Sequence, residues 1–231
     1  MPVHLPILPL PSVLVPGLVL ELNVSDARYQ LLVQALMALP DEAPRQFGVV
    51  ALRPAPEIGE GPGDSLPDPD PHPEFTYTIG CTAELREVTP YSDGRFDIMA
   101  VGERRFRMTG LDEEAGTPYP IGLVEFLDEP DGAEPGDLDR LRDTVVQQFA
   151  EYQRTLSVEV SELPEDPRVV SYLVSAATVL ETPQRQELLE QRSTADRLRA
   201  ETTLLRQERA VLGTLAALPT FEVSNTRISR N

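Results

Sequence analysis

The chain has 231 residues, 41% of them hydrophobic, which is enough to pack one large domain or two lobes and excludes wholesale disorder. Its formal net charge of -18 argues against nucleic acid, which is bound through cationic neutralisation of phosphate, and against anionic membrane surfaces. Cys81 is the only cysteine, so neither an intrachain disulfide nor a thiolate zinc site of the usual kind is expected, and a cytoplasmic setting fits better than secretion.

Val3 to Leu22 reads as two short strands around a Val15-Pro16-Gly17 turn, with the prolines at strand ends and in the turn. This apolar start lacks the form of a signal peptide, because no Arg or Lys precedes Arg28 and Pro6, Pro9, Pro11 and Pro16 interrupt any helical run. No stretch approaches the roughly 20 apolar residues needed to span a bilayer. Ser25 is placed as an N-cap, after which Tyr29, Leu32, Val33, Leu36 and Leu39 recur at helical spacing until Pro40. Phe47 to Leu52 is a compact apolar strand. Residues 54–74 hold seven prolines, six carboxylates and no arginine, and are expected to form an acidic, mobile loop between strands.

Ile79, Cys81, Ala83 and Leu85 alternate with Gly80, Thr82, Glu84 and Arg86, the period of a half-buried strand. Ser92-Asp93-Gly94 supplies residues that tolerate the positive φ of a tight hairpin, and Phe96, Ile98 and Ala100 continue the inward alternation. Beyond Gly102, Phe106 and Met108 share one face while Arg105 and Arg107 share the other. A last strand over Tyr119 to Leu127 brings the sheet to roughly six or seven strands, enough for a small barrel or sandwich.

After Pro130 the period becomes helical. Leu138, Leu141, Val145, Val146, Phe149, Tyr152 and Leu156 line one long helix. Asp166-Pro167 is an N-cap followed by a first-turn proline, ahead of a stripe of Val169, Val170, Leu173, Val174, Ala177 and Leu180. Thr182-Pro183 repeats that chemistry for a short helix ending near Leu189. Ser193 starts a final helix with Leu198, Leu205 and Leu212 seven apart, flanked by Leu204, Val211 and Leu218, a run too short for a coiled coil and suited to packing on the other helices. The expected class is α+β, with a β lobe over 1–130, a helical lobe over 131–218 and a tail over 219–231.

The Pro-rich opening with Val15-Pro16-Gly17, the helix start Ala27-Arg28-Tyr29, then Phe47-Gly48-Val49-Val50, Gly80-Cys81-Thr82-Ala83, Asp93-Gly94-Arg95-Phe96, the Val101 to Arg107 strand and Pro118-Tyr119 follow one another in a telling order. That order resembles the amino-terminal substrate-binding domain of Lon-type ATP-dependent proteases, and Asp166-Pro167, Gln186 to Glu190 and Arg197-Leu198 extend the resemblance through the helical half. It implies a small, PUA-like β-barrel lobe carrying one helix, followed by a helical bundle, and a non-catalytic role in recognising polypeptides. Two departures are Val15, where the family often has phenylalanine, and Leu22-Asn23-Val24, where it is often more aromatic. The chain has no lysine, whereas a Lon engine needs one to hold ATP phosphates and another to activate its serine. The resemblance is therefore to a stand-alone bacterial recognition domain and not to an enzyme.

His4 and His72 are the only histidines, too few to support acid-base or metal chemistry, and Asp68 and Asp70 lack the spacing of a calcium loop. No cofactor or metal is expected. Arg104, Arg105 and Arg107 form the one basic cluster; it suits a carboxylate-bearing partner, but the surplus of acid favours pairing with Glu84, Glu87 or Glu103. Arg28 is expected to orient its helix against the sheet. The candidate polypeptide-binding surface comprises Phe47, Tyr91, Arg95, Arg105 and Arg107. Its expected partners are unfolded or extended clients, with a separate protease to process them and neither nucleic acid nor membrane involved, on a monomer or weak dimer. A small-molecule-binding module on the same fold is the alternative, to be separated by whether the structure holds an enclosed apolar pocket or an open groove.

Overall fold

The computed structural model describes residues 2–40, 42–54, 74–160 and 162–216. The order among them is β1 (Val3–Leu10), β2 (Val19–Val24), α1 (Ala27–Met37), β3 (Gln46–Ala51), β4 (Ile79–Pro90), β5 (Phe96–Leu111), β6 (Ile121–Phe126), α2 (Pro135–Thr155), α3 (Pro167–Ala177), α4 (Thr182–Leu189) and α5 (Thr194–Ala216). The acidic loop expected over 54–74 lies, apart from its two ends, outside the described residues, as do His72, Leu218 and the tail.

The sheet runs β2-β5-β4-β3-β1-β6, and a further pairing of β5 with β6 closes all but β2 into a small barrel. The length of β5 makes this possible: its first half, from Phe96 to Val101, pairs with β2, and its second half, from Phe106 to Leu111, pairs with β6. β2 is thus left outside the ring as an extension. Inside the barrel, Leu5, Ile7, Val50, Phe106, Met108 and Val124 make one core. The space is tight enough that a Cβ added at Gly48 or Gly122 would come within 2.8 Å of Ile7. The opposite side of the same strands, the outer wall, contributes Leu8, Phe47, Val49, Cys81, Ala83, Leu85, Phe96, Ile98 and Ala100 to a second core under α1, which buries Tyr29, Leu32, Val33 and Leu36. β4 is therefore buried on both sides from Ile79 to Ala83 instead of half-buried, because α1 and the helical lobe cover its outer side and the barrel its inner one.

Pro6 and Pro9 lie within β1, not at its ends. The Ile7 amide donates to Pro120 O on the β6 side and the Leu52 amide donates to Leu10 O on the β3 side, so backbone groups alternate between the two neighbours. Pro9 turns its nitrogen to the β6 side, where that pairing has ended at Pro6, and Pro6 turns its own to the β3 side, where pairing starts only at Ile7. Neither proline costs a ladder bond. β1 and β2 flank their turn without pairing to each other.

Helix starts fall close to expectation. Asp166 caps α3, accepting from the amides of Arg168 and Val169 at 2.8 and 3.2 Å. Two caps are displaced by one residue: Asp26, not Ser25, accepts from the Arg28 amide, and Glu181, not Thr182, precedes α4, its amide bonded to Gln184 Oε1. Arg28 closes on Asp26 at 3.2 Å and so reinforces the cap. In α3 the buried stripe is Val170, Ser171, Tyr172, Val174 and Ser175, while Val169 is exposed. The Leu198, Leu205 and Leu212 row of α5 packs on α2 and α3, as a bundle core does.

The two lobes share a core of Val13, Val15, Ala51 and Ile79 with Tyr172 and Leu189. It encloses a polar cluster. Arg105 reaches from β5 to Glu129 and donates to Leu189 O and Gln191 O at 2.7 and 2.6 Å, the carbonyls at the exit of α4. Tyr172 donates to both Glu129 oxygens at 2.8 and 2.9 Å, and the Arg197 guanidinium stacks 3.9 Å over the Tyr172 ring while donating to Leu188 O and Ser171 Oγ. Burial pushes the Tyr172 hydroxyl up, out of reach of titration near neutral pH.

Candidate functional site

The inner face of the sheet continues past the mouth of the barrel, because β2 and the adjoining halves of β4 and β5 extend beyond the closed ring. Inside the ring that face is apolar; beyond it, Asp97, Met99, Val101 and Glu103 alternate with the buried Phe96, Ile98, Ala100 and Gly102. Antiparallel register sets these residues in rungs. Glu21, Met99 and Glu87 lie in one row, and Asn23, Asp97 and Thr89 in the next. Glu21, Asn23, Glu87, Thr89, Asp97 and Met99 border an open depression of about 400 Å³. α1 covers the other side of these strands, and no described helix packs on this open face.

β2 is also an edge strand, with no described strand beyond it. Gly102 N donates to Leu18 O at 2.9 Å, which fixes the alternation: Leu20, Leu22 and Val24 turn their backbone groups to β5. The N–H and C=O groups of Val19, Glu21 and Asn23 point to the free edge, where no described strand pairs with them.

The open face is acidic. Glu84 and Glu103 share Arg86, at 3.2 and 3.3 Å, and Gln46 donates to Glu103 at 2.7 Å. A hydrogen bond shared with the neighbouring Glu84 carboxyl holds Glu103 above the usual carboxylate range, with burial adding to it. Asp97 accepts from Asn23 at 2.6 Å and from the Tyr91 hydroxyl. The Tyr91 bond lowers Asp97 and raises Tyr91, so the proton stays on the phenol. Glu21 and Glu87 have no ion-pair partner among the described residues.

The residues expected to form a binding surface separate into three places. Tyr91 and Arg95 lie together at the tip of the β4–β5 hairpin, with Arg95 paired to Asp93 at 2.8 Å and its guanidinium 5.6 Å from the Tyr91 ring centre. They bound one end of the open face through Asp97. Arg107 is exposed on the outer wall, across the sheet from that face. Phe47 is fully buried under α1, and Arg105 is 2% exposed beneath the helical lobe, so neither presents a side chain to solvent. For Arg105 the cause is a bulge: Ala83 pairs with Gly102 but Cys81 with Arg105, and the extra residue shifts β5 so that Arg105 joins the side covered by the helices. Its partner is Glu129 and not Glu84, Glu87 or Glu103. Arg104 lies 4.2 Å over the Phe126 ring.

Glu21, Glu87, Asp97 and Met99 were not among the expected residues, although the alternation that sends Phe96, Ile98 and Ala100 to one side sends Asp97 and Met99 to the other. Glu129, Tyr172 and Arg197 carry no such signal. No nucleophile is set up around Cys81, which is buried, with burial pushing its thiol up. No described helix is long and apolar enough to cross a membrane.

The model of the ATP-dependent protease La (LON) substrate-binding domain matches residues 4–207. Lon protease 2 of Herpetosiphon aurantiacus is 29% identical over 220 residues, 90% of this chain and 24% of that protein. The Lon protease of Koribacter versatilis is 31% identical over 194 residues, 80% of this chain and 22% of that one. The chain thus spans about a quarter of the length of these relatives. Among solved structures, the N-terminal domain of Mycobacterium avium complex Lon protease has a TM-score of 0.61 at 19% identity, covering 88% of this chain and 98% of that one. The Lon N-terminal domain protein from Xanthomonas campestris has a TM-score of 0.56 at 20% identity, covering 94% and 99%. At these identities the two structures show the fold alone.

Proposed function

The chain belongs to the Lon substrate-binding domain family, and on that premise we propose that it binds extended or unfolded polypeptide segments on the open face of β2, β5 and β4 and holds them without cutting them. The substrate-binding domain is the non-catalytic part of a Lon protease. The observation that carries the reading is the edge of β2, free among the described residues, beside a sheet face with an open depression: an extended client has unpaired backbone groups and side chains for both. Within these 231 residues the absence of lysine leaves no serine-lysine dyad, which supports binding without cleavage by this domain, and processing by a separate protease is part of the same proposal. The small-molecule alternative gains little from the depression, which is open and bordered by carboxylates, unlike the enclosed apolar pockets that hold small ligands.

The test is fluorescence anisotropy of labelled, unfolded casein titrated with the folded protein, followed on gels with and without ATP. Saturable binding with the casein intact is expected. Absence of binding would overturn the recognition role, and ATP-dependent fragments would overturn the claim that nothing is cut.

A further inference from the structure

The chemistry of the open face narrows the class of segment it can hold. Its solvent-facing positions on β2, β4 and β5 include Glu21, Glu84, Glu87, Asp97 and Glu103, with Arg86 as the cation among them, and Arg86 is already shared by Glu84 and Glu103. Glu21 and Glu87 flank Met99 in one rung, two strand spacings or roughly 9.5 Å apart. That separation is between backbones and does not make the pair a metal site, since no group of three or more His, Cys, Asp or Glu among the described residues could hold a metal ion. It suits long cationic side chains reaching over the methionine. At the edge itself the two sides of β2 differ: Glu21 and Asn23 stand on the open face, while Leu20 and Leu22 on the other side are only partly buried against the α1 core.

We propose that the preferred clients are extended segments in which arginine or lysine alternates with apolar residues, pairing with the free edge of β2. Such a strand takes up the outward backbone groups of Val19, Glu21 and Asn23. Its cationic side chains fall on the side of Glu21, next to Asp97 and in the field of Glu87, which lies three strand spacings or roughly 14 Å from the client backbone, and its apolar ones cover the exposed parts of Leu20 and Leu22. A segment with glutamate in the cationic positions meets the same backbone edge with like charges opposed. Acidic clients are refused by electrostatics and not by shape. The inference rests on polypeptide binding at this face.

The test uses three labelled peptides of equal length, with leucine alternating with arginine, glutamine or glutamate, titrated into the full chain at low salt and again at about 0.5 M salt, where exposed charge pairs are largely screened. The arginine peptide is expected to bind about tenfold tighter than the glutamine peptide at low salt, with the glutamate peptide weakest and the spread collapsing at high salt. The double variant Glu21→Gln/Glu87→Gln should remove most of that preference. Val19→Pro, at the first position of an edge strand where proline is tolerated, should weaken the arginine and glutamine peptides alike. Equal affinity for all three peptides, or a preference untouched by the double variant, would overturn the cationic selectivity while leaving recognition in place. Binding of casein with no peptide bound would do the same, whereas failure to bind casein or any peptide would sink both readings.

Discussion

At the junction of the lobes, the buried Arg105 and Arg197 close around Glu129, and Tyr172, the Ser171 hydroxyl and four backbone carbonyls complete their contacts. On the open face the same residue types stand in solvent, with Arg86 divided between two carboxylates and Glu21 and Glu87 left over. The difference is one of environment. A buried guanidinium must be matched on every side, so the junction fixes how the helices sit on the barrel. An exposed carboxylate contributes little to stability and keeps its charge for a partner.

That contrast predicts unequal responses to substitution. The largest belongs to Arg105→Ala, which strands Glu129 and the α4 carbonyls and is expected to cost about 3–5 kcal/mol in urea unfolding. Arg105→Lys restores the charge without the fork of donors, so it should recover only part of the loss. A loss below about 1 kcal/mol for Arg105→Ala would mean that the junction does not act as a clamp.

Glu201 is among the imperfectly matched members of the buried region, with Arg197 Nη2, Gln186 Oε1 and Thr194 Oγ1. It lies one turn along α5 from Arg197, is 1% exposed, and both its carboxyl oxygens lack a hydrogen-bond partner among the described residues. Burial raises its folded-state value well above the ordinary carboxylate range, against the pull of Arg197. The native state therefore keeps a proton that the unfolded chain has released, and stability falls as pH rises from the unfolded value towards the folded one. Glu201→Gln removes that dependence. It should leave stability unchanged near pH 4 and raise it at pH 8, by about 1–3 kcal/mol if the ionised group's burial is the cost removed. A gain of equal size at both values would place the cause elsewhere. The smallest effect is expected for Glu21→Gln and Glu87→Gln, within about 0.5 kcal/mol of the parent by the same unfolding measurement. A larger loss would show that the open face is structural.

The two regions were also unequally legible in the sequence. The open face lies in plain alternation on β5, since Asp97, Met99 and Val101 separate Phe96, Ile98 and Ala100, and the hairpin turn fixes the register of Asp97 and Met99 with Thr89 and Glu87, beyond which a bulge between Leu85 and Glu87 shifts it. The helices announced themselves through their period and through Asp166-Pro167. The junction did not, because Arg105 finds its partners in backbone carbonyls more than 80 positions away and in Glu129 of a loop without periodicity. Simple alternation would set Phe106 on the same side as Ile98, and only the bulge between Gly102 and Arg105, a feature of pairing and not of composition, moves it to the barrel interior. The prolines of β1 were misplaced for a similar reason: a proline inside a strand is tolerated where the neighbour on its nitrogen side is missing, and that depends on the topology.

The most direct test of recognition at the open face is backbone hydrogen exchange with and without bound unfolded casein. The outward amides of Val19, Glu21 and Asn23 should exchange fast in the free protein and be slowed when the client is bound, while those of α2 and α5 keep their rates. Protection confined to the helical lobe, with the β2 amides unchanged under saturating client, would contradict it.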